Sequence, residues 1–463
     1  MISPVPSLND TAIQFLKQTF GDANVLLSHS DREYHARDQS FHAAHMPTAV
    51  VLPETTAQVS ALLQYANAQK IPVTAWGAGT SLEGNPIPVA GGIVLDFLRM
   101  DQILNVYADD FQVDVQPGIQ YKDMNAKLAA YGLFFAPDPG ANASIGGMIA
   151  NNAAGTRTPG YGATKDNVLR LEIVLANGDV IRTGTRARKT SSGYDLAHLF
   201  VGSEGTLGIV TEATLRLHPI PEHFSAVVAA FETIDGATHS VAAIMGAGLH
   251  PVALEFIDPV TARNLNTTGE FQLREKPTLL MEFHSATTQS IEHELALAQE
   301  VCQDNGCLAF EMGVGRAARD RLWKMRHSTY EVMVRNHPGI AFLIGDVAVP
   351  VSKYPELVAA CEREINALGL AGASMVGHAG DGNLHPLVPY VPDDIASHAR
   401  ALNALGNMVR VALALDGTAT GEHGVGLGKI QFMRAEHGAS LDVMRALKNL
   451  LDPHGILNPG KMF

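Results

Sequence analysis

Three glycine-rich stretches decide the fold of this chain: Trp76-GAGTSLEGN-Pro86, Asp138-PGANASIGGMIANNAAGTRTPGYG-Ala163 and Phe200-VGSEGTLGIVT-Glu212. Each interleaves glycine with Ser, Thr and Asn. Such a backbone approaches a pyrophosphate closely, because no Cβ intervenes and successive N–H groups turn toward the oxygens. One such loop alone reads more simply as turns, since 43 of the 463 residues are glycine. The common nucleotide fingerprints are absent. Leu82 and Lys429 stand where Gly77-Ala-Gly79 and Gly424-Val-Gly426 would need the third glycine of G-x-G-x-x-G, and Gly428-Lys429 runs into Ile430 instead of the Ser or Thr of a P-loop. A nucleotide cofactor must therefore use a different glycine scaffold. H-E-x-x-H and G-x-S-x-G are also missing.

Working outward, short apolar runs at Thr48–Leu52, Pro72–Ala75, Ile93–Asp96, Val113–Gln116 and Thr211–Leu217 predict strands, and Gln58–Gln69 and Tyr121–Tyr131 predict amphipathic helices. Asn177-Gly178 between Leu169–Leu175 and Val180–Thr183 predicts a hairpin whose two turn residues both take positive φ. Pro219 and Pro221 punctuate the end of a first domain, residues 1–221. From 222 to 415 strand-like runs alternate with helices, among them single helices over Arg316–Val334 and Asp393–Leu415 and a single strand over Ala341–Val349. That pattern predicts an α+β sandwich of ferredoxin-like units. Residues 416–463 read as a short helical C-terminal segment ending in NPGKMF.

Composition excludes several classes. At 46% hydrophobic and 17% charged, the chain is a globular protein of two or three domains. Its net charge of −14 argues against nucleic acid as a partner. No apolar run reaches the roughly 18 to 20 residues a membrane helix needs, and MISPVPSLND carries no signal-peptide pattern. A cytoplasmic protein is expected, with peripheral contact to the inner membrane and a homodimer both compatible with the sequence. Cys302, Cys307 and Cys361 are too few for a four-cysteine iron–sulfur cluster and lack the C-x-x-C-H of covalent haem.

A second constellation lies at His378-AGDGNL-His385 and Gly421-Glu422-His423-Gly424. Two histidines flanking a glycine turn can bring both rings to one point, where a carboxylate would complete a His₂-carboxylate metal set. The same residues also read as hydrogen-bonded core histidines, and spacing alone does not choose.

In this order, the three loops, both histidine motifs and the terminal NPGK resemble the FAD-linked 2-hydroxyacid dehydrogenases of the vanillyl-alcohol oxidase/PCMH superfamily, closest to their D-lactate dehydrogenase branch, over essentially the whole chain. The resemblance implies a two-part PCMH-type FAD-binding domain followed by the ferredoxin-like substrate domain. It implies FAD contacts at Trp76, Gly77, Ala78, Gly79, Thr80, Ser81, Gly84 and Asn85 around the pyrophosphate. Asp138, Pro139, Gly140, Ser144, Gly147, Asn151, Gly155, Thr156, Tyr161 and Gly162 would hold the rest, Glu204, Gly205, Gly208, Ile209 and Val210 would close the adenosine side, and Asn458 belongs to the terminal motif. No His or Cys lies between Ala75 and Pro86, so non-covalent FAD is expected. His378, His385 and Glu422 would ligate a divalent ion, zinc or manganese, and His423 would be the base. Arg326, in Trp323-Lys-Met-Arg326-His327, would grip the substrate carboxylate. Two departures matter: Ala341-FLIGDVAV-Pro350 lacks the lysine that relatives acting on 2-hydroxyglutarate use for a second carboxylate, and Leu387 replaces their asparagine. Oxidation of D-lactate or a longer apolar D-2-hydroxy acid, with electrons passing to an external quinone or cytochrome, is therefore expected over glycolate or D-2-hydroxyglutarate. The rivals from other classes are a flavin-free metallohydrolase and a non-catalytic subunit.

Overall fold

The computed structural model describes residues 8–370 and 372–463; residues 1–7, with which the predicted first domain begins, lie outside the described residues. The chain divides into two compact units. One takes the residues through Ala154, Gly162–Ile220 and Glu422–Phe463; the other takes Gly155–Tyr161 and Pro221–Gly421. No described helix is long and apolar enough to cross a membrane.

Among its described residues the first unit holds two main sheets, each with its own core, beside a two-residue ladder of His218–Pro219 with Leu133–Phe134. In the smaller, Ala49–Val51, Ile93–Asp96 and Val73–Trp76 run parallel, with Val25–Leu26 antiparallel at one edge. Thr55 starts the helix Thr56–Gln69 with a capping box through Gln58, satisfying amides that the first turn leaves without partners. The helix then buries Val59, Leu62, Leu63 and Ala66 against the sheet, each large side chain contributing about 1.5–3 kcal/mol. The second sheet is antiparallel, in the order Ile103–Tyr107, Gln112–Val115, Ile209–Arg216, Val168–Val174, Val180–Gly184. Its last two strands form the expected hairpin by a different turn. Gly178 alone has positive φ, at 85°, and Asn177 does not enter the left-handed region. Gly178 N–H bonds to Leu175 O and Leu175 N–H to Asp179 O, so a three-residue loop ending in a left-handed glycine replaces the two-residue turn.

The second unit begins with a β-α-β-β-α-β arrangement. Cys307–Val314, His223–Phe231, Thr278–Ser285 and Ala253–Ile257 lie side by side, all antiparallel, so that the fourth, first, third and second strands in chain order are neighbours. This is the ferredoxin-like order. The sheet continues through Ser374–Gly377, Asn383–Tyr390 and Ala341–Ile344, with Val347–Ala348 also paired to Asn383–Tyr390.

Several expectations need correction. The helix over Arg316–Val334 is two, Arg316–His327 and Thr329–Asn336. Ser328 Oγ donates to Met325 O and Thr329 Oγ1 to Arg326 O, so hydroxyls engage the carbonyls at the break. The strand over Ala341–Val349 breaks at Gly345-Asp346, where Gly345 N–H bonds to Pro386 O and the Asp346 side chain turns into the core. The boundary at 415/416 moves to 421/422. Thr418 bridges Ala348 through both backbone groups and Thr420 Oγ1 donates to Asp346, which keeps 416–421 with the second unit. Gly155–Tyr161 also leaves the first domain, because Gly160 packs on Val252 and Pro159 on Gly380, too closely for a Cβ on either glycine.

Candidate active site

In the first unit the Trp76–Pro86 loop leaves its strand with Gly79 and Gly84 at positive φ. Among the described residues, nothing accepts a hydrogen bond from the amides of Ala78, Gly79, Thr80, Ser81 or Leu82. Five consecutive donors in a half-buried loop fit the anionic pyrophosphate of FAD. Gly77 lies so close to the start of helix Ile145–Asn151 that a Cβ would sit 2.1 Å from Ser144 Oγ, which itself accepts from Gly147 N–H at 3.3 Å. Gly140 has open space around its Cβ direction.

Other residues assigned to the cofactor hold the loops together. Trp76 is 3% exposed, and its indole packs on Val50 and Val94 beneath the loop. A Cβ on Gly208 would strike Ile173. Ile209 opens a sheet strand as a buried residue, and Val210 follows it in that strand. Glu204, at φ 52°, is buried and accepts from Val425 N–H at 2.6 Å and Gly426 N–H at 2.9 Å. Burial raises its pKa, opposed by those amides, Asn85 and Lys461. Asn458 donates to Asn85 O and Glu204 O at 3.0 and 2.7 Å, and Lys461 donates to Ile87 O. The C-terminal tail thus joins the first glycine loop to the third. Asn151 Nδ2 reaches His423 O at 3.3 Å, and the His423 ring lies 4.0 Å from Glu422 within the same segment.

In the second unit, His378 and His385 flank a 3₁₀ turn at Ala379–Asp381, with rings edge to face and centroids 5.2 Å apart. Both are buried. His378 Nδ1 faces Glu255 Oε1 at 2.7 Å and His385 Nδ1 faces Gly345 O at 3.1 Å. Both partners are acceptors, so Nδ1 must be the protonated nitrogen of each neutral ring and Nε2 carries the lone pair a metal needs. Arg326 Nε donates to the other oxygen of Glu255 at 2.7 Å. Burial pushes the Glu255 carboxyl pKa up, but the interactions with His378 and Arg326, including the hydrogen bond each donates, outweigh it and the net shift is downward. Beside His385, Asp346 accepts from Asn383 Nδ2 and Thr420 Oγ1, both at 2.7 Å. Glu422 is one peptide bond beyond Gly421, whose Cβ direction points at Asn383 Nδ2 and Asp346 Oδ1.

Tyr161 is engaged elsewhere. Its hydroxyl bonds His284 Nδ1 at 2.8 Å, and His284 Nε2 bonds Glu282, which also accepts from Arg319 and Trp323. Burial raises the Tyr161 phenol to about 12. Gly155 and Thr156 travel with it into the second unit. The residue reading missed Glu255, Asp346 and Glu282. Each is a lone acid within an apolar run, ALEFI, FLIGDVAV or TLLMEFHS, and a fully buried acid needs partners. That signal was available.

Two families of known proteins match successive parts of the chain. The family described as FAD binding domain matches residues 47–184, and that described as FAD linked oxidases, C-terminal domain, matches residues 220–462. Probable D-lactate dehydrogenase, mitochondrial, from Danio rerio is 38% identical, covering 98% of this chain and 92% of that protein. Glycolate oxidase subunit GlcD from Bacillus subtilis is 36% identical, covering 97% and 96%. The solved structure of 4-ethylphenol oxidase from Gulosibacter chungangensis matches with a TM-score of 0.79 at 18% identity, covering 99% of this chain and 98% of its own, a likeness of fold.

Proposed function

This chain belongs to the FAD-linked oxidase family, and on that premise we propose that it oxidises a D-2-hydroxy acid, D-lactate or a longer apolar analogue, to the 2-keto acid. The observation that carries the reading is the buried Glu255, which holds an arginine on one oxygen and a histidine on the other. Arg326 binds the substrate carboxylate, its fork matching two oxygens with parallel charge-assisted bonds. His423 takes the proton of the 2-hydroxyl, a task that suits a base of near-neutral pKa. FAD, when bound without a covalent link, supplies the hydride acceptor. A divalent ion held by His378, His385 and Glu422 would supply Lewis acidity at the hydroxyl. With three cysteines and no cluster motif, the electrons leave to an external quinone or cytochrome.

Substrate size follows from what the second unit lacks. Leu387 is buried and Ala341–Pro350 carries no lysine. A distal carboxylate would be desolvated without a partner, which costs several kcal/mol in the low-dielectric limit, and each ~1.4 kcal/mol is tenfold in specificity. The test is anaerobic flavin bleaching and kcat/KM with D-lactate, L-lactate, D-2-hydroxybutyrate, glycolate and D-2-hydroxyglutarate. D-lactate or D-2-hydroxybutyrate should exceed D-2-hydroxyglutarate by about a hundredfold or more, a chelator should abolish turnover with flavin retained, and acid precipitation should release all the flavin. Preference for glycolate, to which the Bacillus subtilis relative's name points, or for the dicarboxylate would overturn the substrate assignment. Full activity in metal-free enzyme would overturn the metal.

A further inference from the structure

We infer that Glu255 is a positioning residue that aims a metal ligand and the substrate-binding arginine at once, from a single buried carboxylate. The inference rests on the metal-assisted dehydrogenase reading above and extends it to a residue outside the metal and substrate sets. Glu255 lies at the centre of strand Ala253–Ile257, opposite Leu280, and is 0% exposed. Its partners approach from different elements. His378 follows strand Ser374–Gly377 and Arg326 comes from helix Arg316–His327. The side chains of His378 and Arg326 are only 9% and 12% exposed.

A charge at this depth is expensive, and apolar residues usually replace such a cluster without loss of stability. The arrangement therefore points to positioning. Accepting from Nδ1 sets the tautomer and rotation of His378 and makes Nε2 a better donor toward an ion. Accepting from Nε locks the plane of the Arg326 guanidinium, so that its terminal nitrogens keep one direction. Among the described residues each oxygen has one hydrogen-bond partner, His378 Nδ1 on Oε1 and Arg326 Nε on Oε2. Glu255→Gln replaces one acceptor with an NH₂ that must face a donor whichever way the amide turns. At least one of the two alignments is then lost.

The test uses FAD-loaded protein stripped of metal, titrated calorimetrically with Zn²⁺ and separately with Mn²⁺, together with steady-state kinetics at saturating metal. Glu255→Gln should weaken ion binding by about 10–100-fold or raise KM for the 2-hydroxy acid about tenfold or more, with kcat falling less. Glu282→Gln serves as the control. This carboxylate is equally buried in the same sheet, on His284, Arg319 and Trp323. It should cost thermal stability while leaving ion affinity unchanged, separating positioning from packing. Should Glu255→Gln fail to fold, Glu255→Asp keeps the charge and shortens the reach by one methylene, and should weaken at least one readout tenfold. Wild-type ion affinity and wild-type KM together in either folded variant would overturn the inference. Failure of the wild-type protein to take up either ion would instead overturn the metal reading, and the inference with it.

Discussion

Gly77 in the first glycine loop and Gly140 in the second answer differently to a methyl group. A Cβ on Gly77 would meet Ser144 Oγ at 2.1 Å, whereas one on Gly140 meets nothing within 4 Å. Gly77→Ala must therefore turn Ser144 away from Gly147 N–H, at about 1 kcal/mol for a lost helix cap, and shift the loop proposed to cradle the pyrophosphate. Its expected outcome is a lower Tm and a flavin-to-protein ratio well below one after gel filtration. Gly140→Ala should leave the apoprotein within about 0.5 kcal/mol of wild type, so a loss of flavin there would mean that the backbone at 140 touches the cofactor directly. At this scale the sequence names residue types better than roles. Trp76, Gly208, Glu204 and Asn458 stand in the right motifs, yet their side chains or close approaches support the loops, because a motif records which residues are near in sequence and not which surface each presents.

Short elements carry titrations that no propensity encodes. His218 pairs with Phe134 in a two-residue ladder, its Nε2 3.0 Å from Asn167 Oδ1. Burial, with the charges of Arg216 and Arg188, lowers its pKa from 6.5 to about 4. Between those values the unfolded chain binds a proton that the folded chain refuses, so stability falls as pH drops from 6.5 toward 4 and is unaffected above. His218→Gln keeps a donor for Asn167 and should flatten that slope. Denaturation midpoints at pH 7.5, 5.5 and 4.5 should converge at the first and differ by about 1 kcal/mol at the last, after discounting for partial solvent access. Equal slopes would mean that His218 takes up its proton in the folded protein as readily as in the unfolded chain. A 3.6-periodic run such as Gln58–Gln69, which lies within the helix Thr56–Gln69, was legible. The breaks at Ser328 and Gly345-Asp346 were not, since each depends on a hydroxyl or carboxylate finding partners outside its own run.

Across the whole molecule, the C-terminal tail closes what the first hundred residues open. Leu457 adds a parallel bridge to the edge strand at Val73, and Asn458 donates to Asn85 O across 373 residues of chain. Asn458→Asp would set a carboxylate against two buried carbonyl oxygens, costing about 1–3 kcal/mol or more. Both Tm and flavin retention should fall, and retention of both would show that the tail only covers the sheet edge. The sequence by itself determined the α+β class, the loop order that marks an FAD-linked oxidase, the ferredoxin-like alternation and the candidate histidines. Those depend on glycine geometry, hydrophobic period and spacing, which act over a few residues. Only the tertiary structure decided that Gly155–Tyr161 joins the second unit, that the tail locks two glycine loops, and that Glu255 serves His378 and Arg326 together. A buried charge takes its meaning from the partners that satisfy it, and these come from strands and helices scores of residues away.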